Sequence, residues 1–228
     1  MHPPIHFPMT KIRSRTYAVL RSATAFLAML SVACSSGKPR SDGINAQAPA
    51  NSRSGIACVA GDTALFPARS VLRGRWYDKY LRAAGEGAVC AMPAAEAYRF
   101  TWLRSFDPPI IVRAERRGDG YVLTAKQLDG AGGYEPGKPV VNRTSAMSAD
   151  QWAHLTALVD SVGFWAKGPQ PGNENGLDGA RWIVEGVADH RYHAVDRWSP
   201  PEGDDGVRRL GMYFLQLARL THPGLRIY

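Results

Sequence analysis

From Tyr98 onward the chain adopts a repeat of two. Tyr98, Phe100 and Trp102 alternate with Arg99 and Thr101, and then Ile110, Val112 and Ala114 alternate with Arg113 and Glu115. A strand produces this pattern when one of its faces meets a core, because successive side chains point to opposite sides of the sheet. A third apolar run, residues 121–128, follows directly after Gly118-Asp119-Gly120. An Asp-Gly pair supplies the positive-φ positions of a tight turn, so the second hairpin of an antiparallel meander is placed there. Helices alone cannot satisfy these runs, and the chain has to build a sheet.

Helical periods flank the meander. Residues 73–84 place Trp76, Tyr80 and Leu81 inward, with Arg75, Lys79 and Arg82 on the solvated face and Gly85 in the position of a C-terminal cap. Ser148 is spaced from Gln151 as in a capping box and opens a helix whose Trp152, Leu155, Val159 and Val162 form one stripe. Between the meander and that helix, residues 129–142 read as a loop. Its Gly130-Ala131-Gly132-Gly133 lacks the Lys-Ser/Thr of a phosphate loop and reads as a mobile connection. Residues 180–187 and 191–198 form a further strand pair around Ala188-Asp189-His190, stopped by Pro200-Pro201. A last helix, near residues 205–220, carries Val207, Leu210, Phe214 and Leu217 at core spacing. Two groups of strands, each followed by a helix, argue for an α+β domain: an antiparallel sheet of about five strands with helices packed on one face.

The first thirty-four residues concern address rather than fold. A basic segment, Lys11, Arg13, Arg15 and Arg21, precedes an apolar run from Ala23 to Ala33, and Cys34 follows. The run is well short of the ~20 residues needed to cross a hydrocarbon core, so it reads as the h-region of an export signal. Met1 to Pro8 fit no signal peptide, and Met9 is the alternative start of translation.

Leu30-Ser31-Val32-Ala33-Cys34 resembles the lipobox of bacterial lipoproteins, in which a small residue precedes a cysteine that is acylated and becomes the new N-terminus. The leucine stands one position early, with Ser31 in the slot usually held by an aliphatic residue. Plain cleavage after Ala33 is the other reading of the same residues. The resemblance implies a signal peptide over residues 1–33, a lipid on Cys34, and a place in the cell envelope held to the membrane by that lipid. Ser35 after the cysteine implies the periplasmic face of the outer membrane if the cell is Gram-negative. Residues 34–56, rich in Ser, Gly, Pro, Asn and Ala, then form a disordered tether with a reach on the order of 25 Å. Residues 57–228 suit a single domain by length.

With Cys34 acylated, Cys58 and Cys90 remain as a pair in an oxidising compartment and are expected to form a disulfide. Closing that loop contributes ~3–4 kcal/mol in the chain-entropy model. Charge excludes little. The chain holds 28 basic and 20 acidic residues, and four of the basic ones precede Cys34, which leaves 24 against 20. No zinc-finger spacing, RNP-type motif or basic helix accompanies that small excess, so no nucleic-acid partner is expected.

Local catalytic motifs are missing from the sequence: it contains no Gly-x-Ser-x-Gly and no His-Glu-x-x-His. His190 and His193 stand three apart and would face opposite sides of a strand, so no metal site and no cofactor are expected. The densest polar cluster is Asp178, Glu185, His193, Asp196 and Arg197. Asp196 shares a strand face with Tyr192, Ala194 and Trp198, where an inward carboxylate requires a cationic or hydrogen-bonding partner. A structural ion pair is its default role, and a catalytic acid or base the alternative. Trp165, Trp182, Tyr192 and Trp198 are candidates for a sugar-stacking or peptide-binding surface, with core packing as the plainer reading.

Two functions follow from different classes. The first is a lipid-anchored binding or interaction module of the envelope, with an envelope protein or a peptidoglycan-type ligand as partner and an inhibitor or immunity-type protein among the variants. The second is a small envelope hydrolase using Asp178, Glu185, His193 and Asp196. An enzyme should bring two or more of these four together in a concave pocket, whereas a binding module should show a flat or convex aromatic patch.

Overall fold

The computed structural model describes residues 55–58, 64–67, 69–70, 72, 76–94, 96–168, 178–203, 206–222 and 224–228. The signal peptide, Met9, Cys34 and nearly all of the tether lie outside the described residues, as do residues 73–75 of the first expected helix. All described residues belong to one compact unit, Pro49–Tyr228. No helix among them is long and apolar enough to cross a membrane.

The architecture is α+β around one antiparallel sheet of seven strands. In chain order these are β1 (Ile56–Ala57), β2 (Glu96–Arg104), β3 (Ile110–Arg117), β4 (Gly120–Leu128), β5 (Pro139–Met147), β6 (Ala180–Ala188) and β7 (Arg191–Trp198). The spatial order is β1-β7-β6-β2-β3-β4-β5, which is a four-strand meander joined to a hairpin through the central pair of β2 with β6. Among the described residues three α-helices accompany it: α1 (Asp78–Ala83), α2 (Ala149–Ser161) and α3 (Val207–Leu217).

The sheet is covered on both faces, and this decides where every alternating residue goes. On one face Tyr98, Phe100, Trp102, Val112, Ala114, Val184 and Val195 meet Trp152, Leu155 and Val159 of α2 and Leu210 and Phe214 of α3. On the other, Ala97, Leu103, Ile111, Ile183, Val187 and Tyr192 meet Leu65, Phe66, Leu72, Tyr77 and, from α1, Tyr80 and Leu81. The helices are therefore split, with α2 and α3 on one side of the sheet and the short α1 on the other.

Local signals explain the helix ends. Gln151 N donates to Ser148 Oγ at 3.1 Å and Ser148 N to Gln151 Oε1 at 2.9 Å, so the capping box of α2 is complete and worth on the order of 1 kcal/mol. Gly85 follows α1 with φ +64°, and the chain turns there while Glu86 N bonds back to Leu81 O. A residue with Cβ is disfavoured in that left-handed conformation.

Besides the helices, which do not all pack on one face as expected, the following expectations are corrected. The strand count is seven rather than about five, because β1 and β5 were not anticipated. β1 has two residues, Ile56 and Ala57, which pair with Tyr192 and Arg191 and thereby draw Ile56 out of the expected tether into the fold. β5 falls partly in the expected loop; it is an edge strand with mostly exposed side chains, so it shows no alternation. Trp76, expected inward, is exposed.

Candidate functional site

Beneath α1, one face of the sheet carries a chain of buried charges. Arg99 of β2 has no exposure, and its Nε donates to Glu185 Oε2 on β6 at 2.7 Å. Tyr192 Oη donates to Glu185 Oε1 at 2.9 Å, and Ser70 Oγ reaches Tyr192 Oη at 3.3 Å. Glu86, just past α1, gathers Arg113 Nε at 3.0 Å, Lys126 Nζ at 2.9 Å and Arg99 Nη1 at 3.6 Å. Arg113 in turn meets Glu115 at 2.7 Å.

The electrostatics follow from this pairing. Burial pushes the Glu86 carboxyl up, but the cations Arg99, Arg113 and Lys126 outweigh it and hold the group below its ordinary range. Burial dominates at Glu185, whose carboxyl stays raised although Arg99 and Tyr192 pull it down. Tyr192 is driven up by burial and by the Glu185 charge beside it. Every carboxylate here has a cation, and the arrangement pins strands β6, β2, β3 and β4 to the segment after α1. Removing one partner of such a pair strands a charge in low dielectric, so the network acts as a structural clamp.

The four polar residues expected to form a site are dispersed. Asp178 is exposed ahead of β6. Glu185 lies in the clamp. Asp196 shares its sheet face and accepts from Tyr77 Oη at 2.8 Å, with Arg181 Nη1 3.5 Å away, which is the ion-pair environment its strand neighbours suggested. His193 stands on the opposite face, with its ring 5.0 Å from that of Phe164 and 6.1 Å from that of Trp165. Burial lowers its pKa, against backbone hydrogen bonds to Lys167 and Phe164. His193 therefore projects away from Glu185 and Asp196, and the described residues hold no group of three His, Cys, Asp or Glu side chains placed for a metal ion.

Three of the four aromatic candidates pack in the core. Trp165 and Trp182 belong to the core under α2 and α3, and Tyr192 to the core on the other face. Trp198 is half-buried, with the Arg181 guanidinium 5.0 Å over its ring.

Different aromatics are on the outside: Trp76 is 44 % exposed, Phe106 52 % and Tyr134 58 %. Phe106 sits in the turn between β2 and β3, and Tyr134 in the loop between β4 and β5, yet their ring centroids are 6.0 Å apart at an interplanar angle of 33°. The glycine stretch makes this possible. Gly132 N donates to Asp107 O at 3.0 Å and Gly133 N to Ser105 O at 3.1 Å, so the loop lies directly on the β2–β3 turn. A Cβ on Gly132 would fall 2.5 Å from Arg104 N and Arg104 O, so this approach requires glycine. The segment expected to be a mobile connection is thus a pinned one.

Further ties hold the loop. Asp129 Oδ1 accepts from Lys138 N at 2.6 Å across its base. From α1, Tyr80 Oη donates to Tyr134 O at 2.7 Å, and Lys79 pairs with Glu135 at 3.2 Å. Trp76 packs edge-on against Tyr80 at 5.3 Å, which links it to the same loop. On the far side, Asp107 is held by Tyr228 Oη at 2.7 Å and Arg226 Nη2 at 2.9 Å. Hydrogen bonds from Tyr228 and Arg226, helped by the Arg104 charge, outweigh burial and keep Asp107 below the usual carboxylate range. Three exposed rings therefore stand on backbone fixed by α1, the β2–β3 turn and the C-terminal segment. Sequence reasoning missed Phe106 and Tyr134 because loop residues have no period, and it placed Trp76 inward on a helical one. The available signal was an aromatic placed among turn formers, as in Ser105-Phe106-Asp107-Pro108 and Gly132-Gly133-Tyr134.

No family model, curated protein or solved structure matches this chain significantly.

Proposed function

We propose that the protein is a binding module of the cell envelope, anchored by a lipid on Cys34, and that Trp76, Phe106 and Tyr134 form its recognition face. The pinned pair Phe106–Tyr134 carries this reading. Large aromatics cost free energy when left in water, and clusters of them on a surface mark contact sites. Trp and Tyr dominate binding hot spots because they bring large area with few rotatable bonds. Backbone already fixed by Gly132, Gly133 and Tyr80 saves the ordering entropy a floppy loop would lose on binding. The charges nearest the rings are paired with each other, Lys79 with Glu135 and Arg226 with Asp107. That favours a partner that stacks apolar or sugar faces over one held by charge: an envelope protein or a peptidoglycan-type ligand.

The hydrolase alternative needs two or more of Asp178, Glu185, His193 and Asp196 to converge in a pocket; Glu185 is engaged by Arg99 and Tyr192 and Asp196 by Tyr77 and Arg181, and no observation favours it.

Two variants test the proposal. Cys34→Ser should move the protein from the membrane fraction to the soluble envelope fraction; unchanged membrane retention contradicts the anchor. Phe106→Ser combined with Tyr134→Ser should reduce co-sedimentation with purified sacculi, or recovery of the crosslinked envelope partner, at least tenfold without lowering the melting temperature. Undiminished recovery of both removes the recognition face.

A further inference from the structure

Two shallow cavities of about 540 and 470 Å³ lie along the seam between α2 and α3 and share Arg209 and Met212 as lining. The walls have helical spacing. On α3 they are Arg209, Met212, Tyr213 and Gln216, on α2 His154, Leu158 and Ser161, and just past α2 Val162. Leu158, Val162 and Met212 give the groove apolar walls, and each cavity lies within the ~300–1,000 Å³ typical of small-molecule clefts.

The segments that wall the groove are in contact at both of its ends. At one end Gly206 lies against Val162, where an added Cβ would come 2.5 Å from Val162 Cγ1. At the other, Tyr213 Oη donates to Gln151 O at 3.1 Å and its ring packs on that of His154 at 4.6 Å.

Its charges are uneven. Arg208 is answered by Glu202 at 3.9 Å and by Pro200 O at 2.9 Å. Arg209, where the two cavities meet, holds only Ser161 Oγ at 3.3 Å and has no carboxylate partner among the described residues. An apolar groove beside Arg209, whose guanidinium has no carboxylate partner among the described residues, fits a ligand with a hydrocarbon chain and an anionic head, since guanidinium meets carboxylate or phosphate with paired, charge-assisted hydrogen bonds.

We propose that this groove binds a single-chain anionic amphiphile, with its head on Arg209 and its chain running past Met212 and Leu158 toward Tyr213. The groove shares no residue with the aromatic face, so the inference stands or falls independently of the proposed function.

The test is calorimetric titration of the full chain carrying Cys34→Ser, which leaves the described residues untouched. Laurate, dodecyl phosphate and uncharged dodecanol serve as probes. One-to-one binding of laurate or dodecyl phosphate is expected, at least tenfold tighter than dodecanol, and the tighter of the two identifies the head as carboxylate or phosphate. Arg209→Gln, at an exposed position, should bring the anionic probes down to the affinity of dodecanol. Met212→Trp should fill the groove and abolish binding of all three. Equal affinity for dodecanol and the anionic probes, no binding of either anionic probe, or binding unchanged in both variants overturns the proposal.

Discussion

Arg99 and Glu185, 86 positions apart in sequence, meet across the central strand pair with the guanidinium Nε and Nη2 both 2.7 Å from the same carboxylate oxygen, and neither side chain reaches solvent. Their register explains it: Arg99 lies directly opposite Glu185 in the pairing of β2 with β6, so the two side chains rise from adjacent points on one face. Cross-strand neighbours of opposite charge are favourable even in water. Here the covering layer of α1 and the segments around it turns the contact into an obligation.

Arg99→Met should therefore destabilise the domain by about 3–5 kcal/mol, because Glu185 keeps its burial and loses its cation. Adding Glu185→Leu to that variant should recover a substantial part of the loss, since an apolar pair of similar volume is often neutral relative to a buried ion pair. Urea unfolding of the two single variants and the double variant measures the coupling. A cost below about 1 kcal/mol for Arg99→Met, or a double variant no better than the single, contradicts the clamp.

The same pair shows what could be read in advance. The five strands foreseen in the sequence are those whose core-facing residues repeat every second position: 98–102, 110–115, 121–128, 180–187 and 191–198. Arg99, Thr101, Arg113 and Glu115 were the polar half of that alternation, which suggests solvent. Yet Arg99, Thr101 and Glu115 are buried, because a second layer covers their side of the sheet. Alternation reports that the two faces differ, and it cannot distinguish water from a polar core. β5 escaped notice for the opposite reason, being an edge strand with little to bury. Asp196 was legible as an ion-pair partner because its strand neighbours Tyr192 and Ala194 are apolar. The platform of Phe106 and Tyr134 depends on a contact between two turns, which no local pattern encodes.

Cys58 and Cys90 are joined, with a sequence separation of 32 and Cα atoms 5.4 Å apart. The bond ties the residue after β1 to the short 3-10 turn at Val89–Ala91 ahead of β2. Cys58→Ala should cost about 2–5 kcal/mol, mostly by enlarging the unfolded ensemble. Thermal unfolding with and without reductant checks this. A wild-type melting temperature indifferent to reductant, together with alkylatable thiols at both positions in the native protein, contradicts it.

His193 provides a pH signature. Burial among Phe164 and Trp165 lowers its folded-state pKa from the ordinary 6.5. Between the lowered value and 6.5 the unfolded chain holds a proton that the folded chain does not, so stability rises with pH across that window. The contribution is complete above 6.5 and is lost as pH falls toward the folded-state value. His193→Phe should flatten the stability profile in that window while leaving the profile above it parallel to wild type. An unchanged slope in the variant means that His193 titrates in the folded protein as it does in the unfolded one.

A recognition face requires that the exposed rings touch a partner in the envelope. The most direct measurement is photo-crosslinking in intact cells, with a benzophenone side chain at Tyr134 and, as control, at Asp119 in the exposed β3–β4 turn. A discrete adduct from position 134 that is absent from position 119, and that disappears when Phe106 is also changed to Ser, is the expected result. No adduct from position 134, or the same adducts from both positions, contradicts a recognition face built on Phe106 and Tyr134.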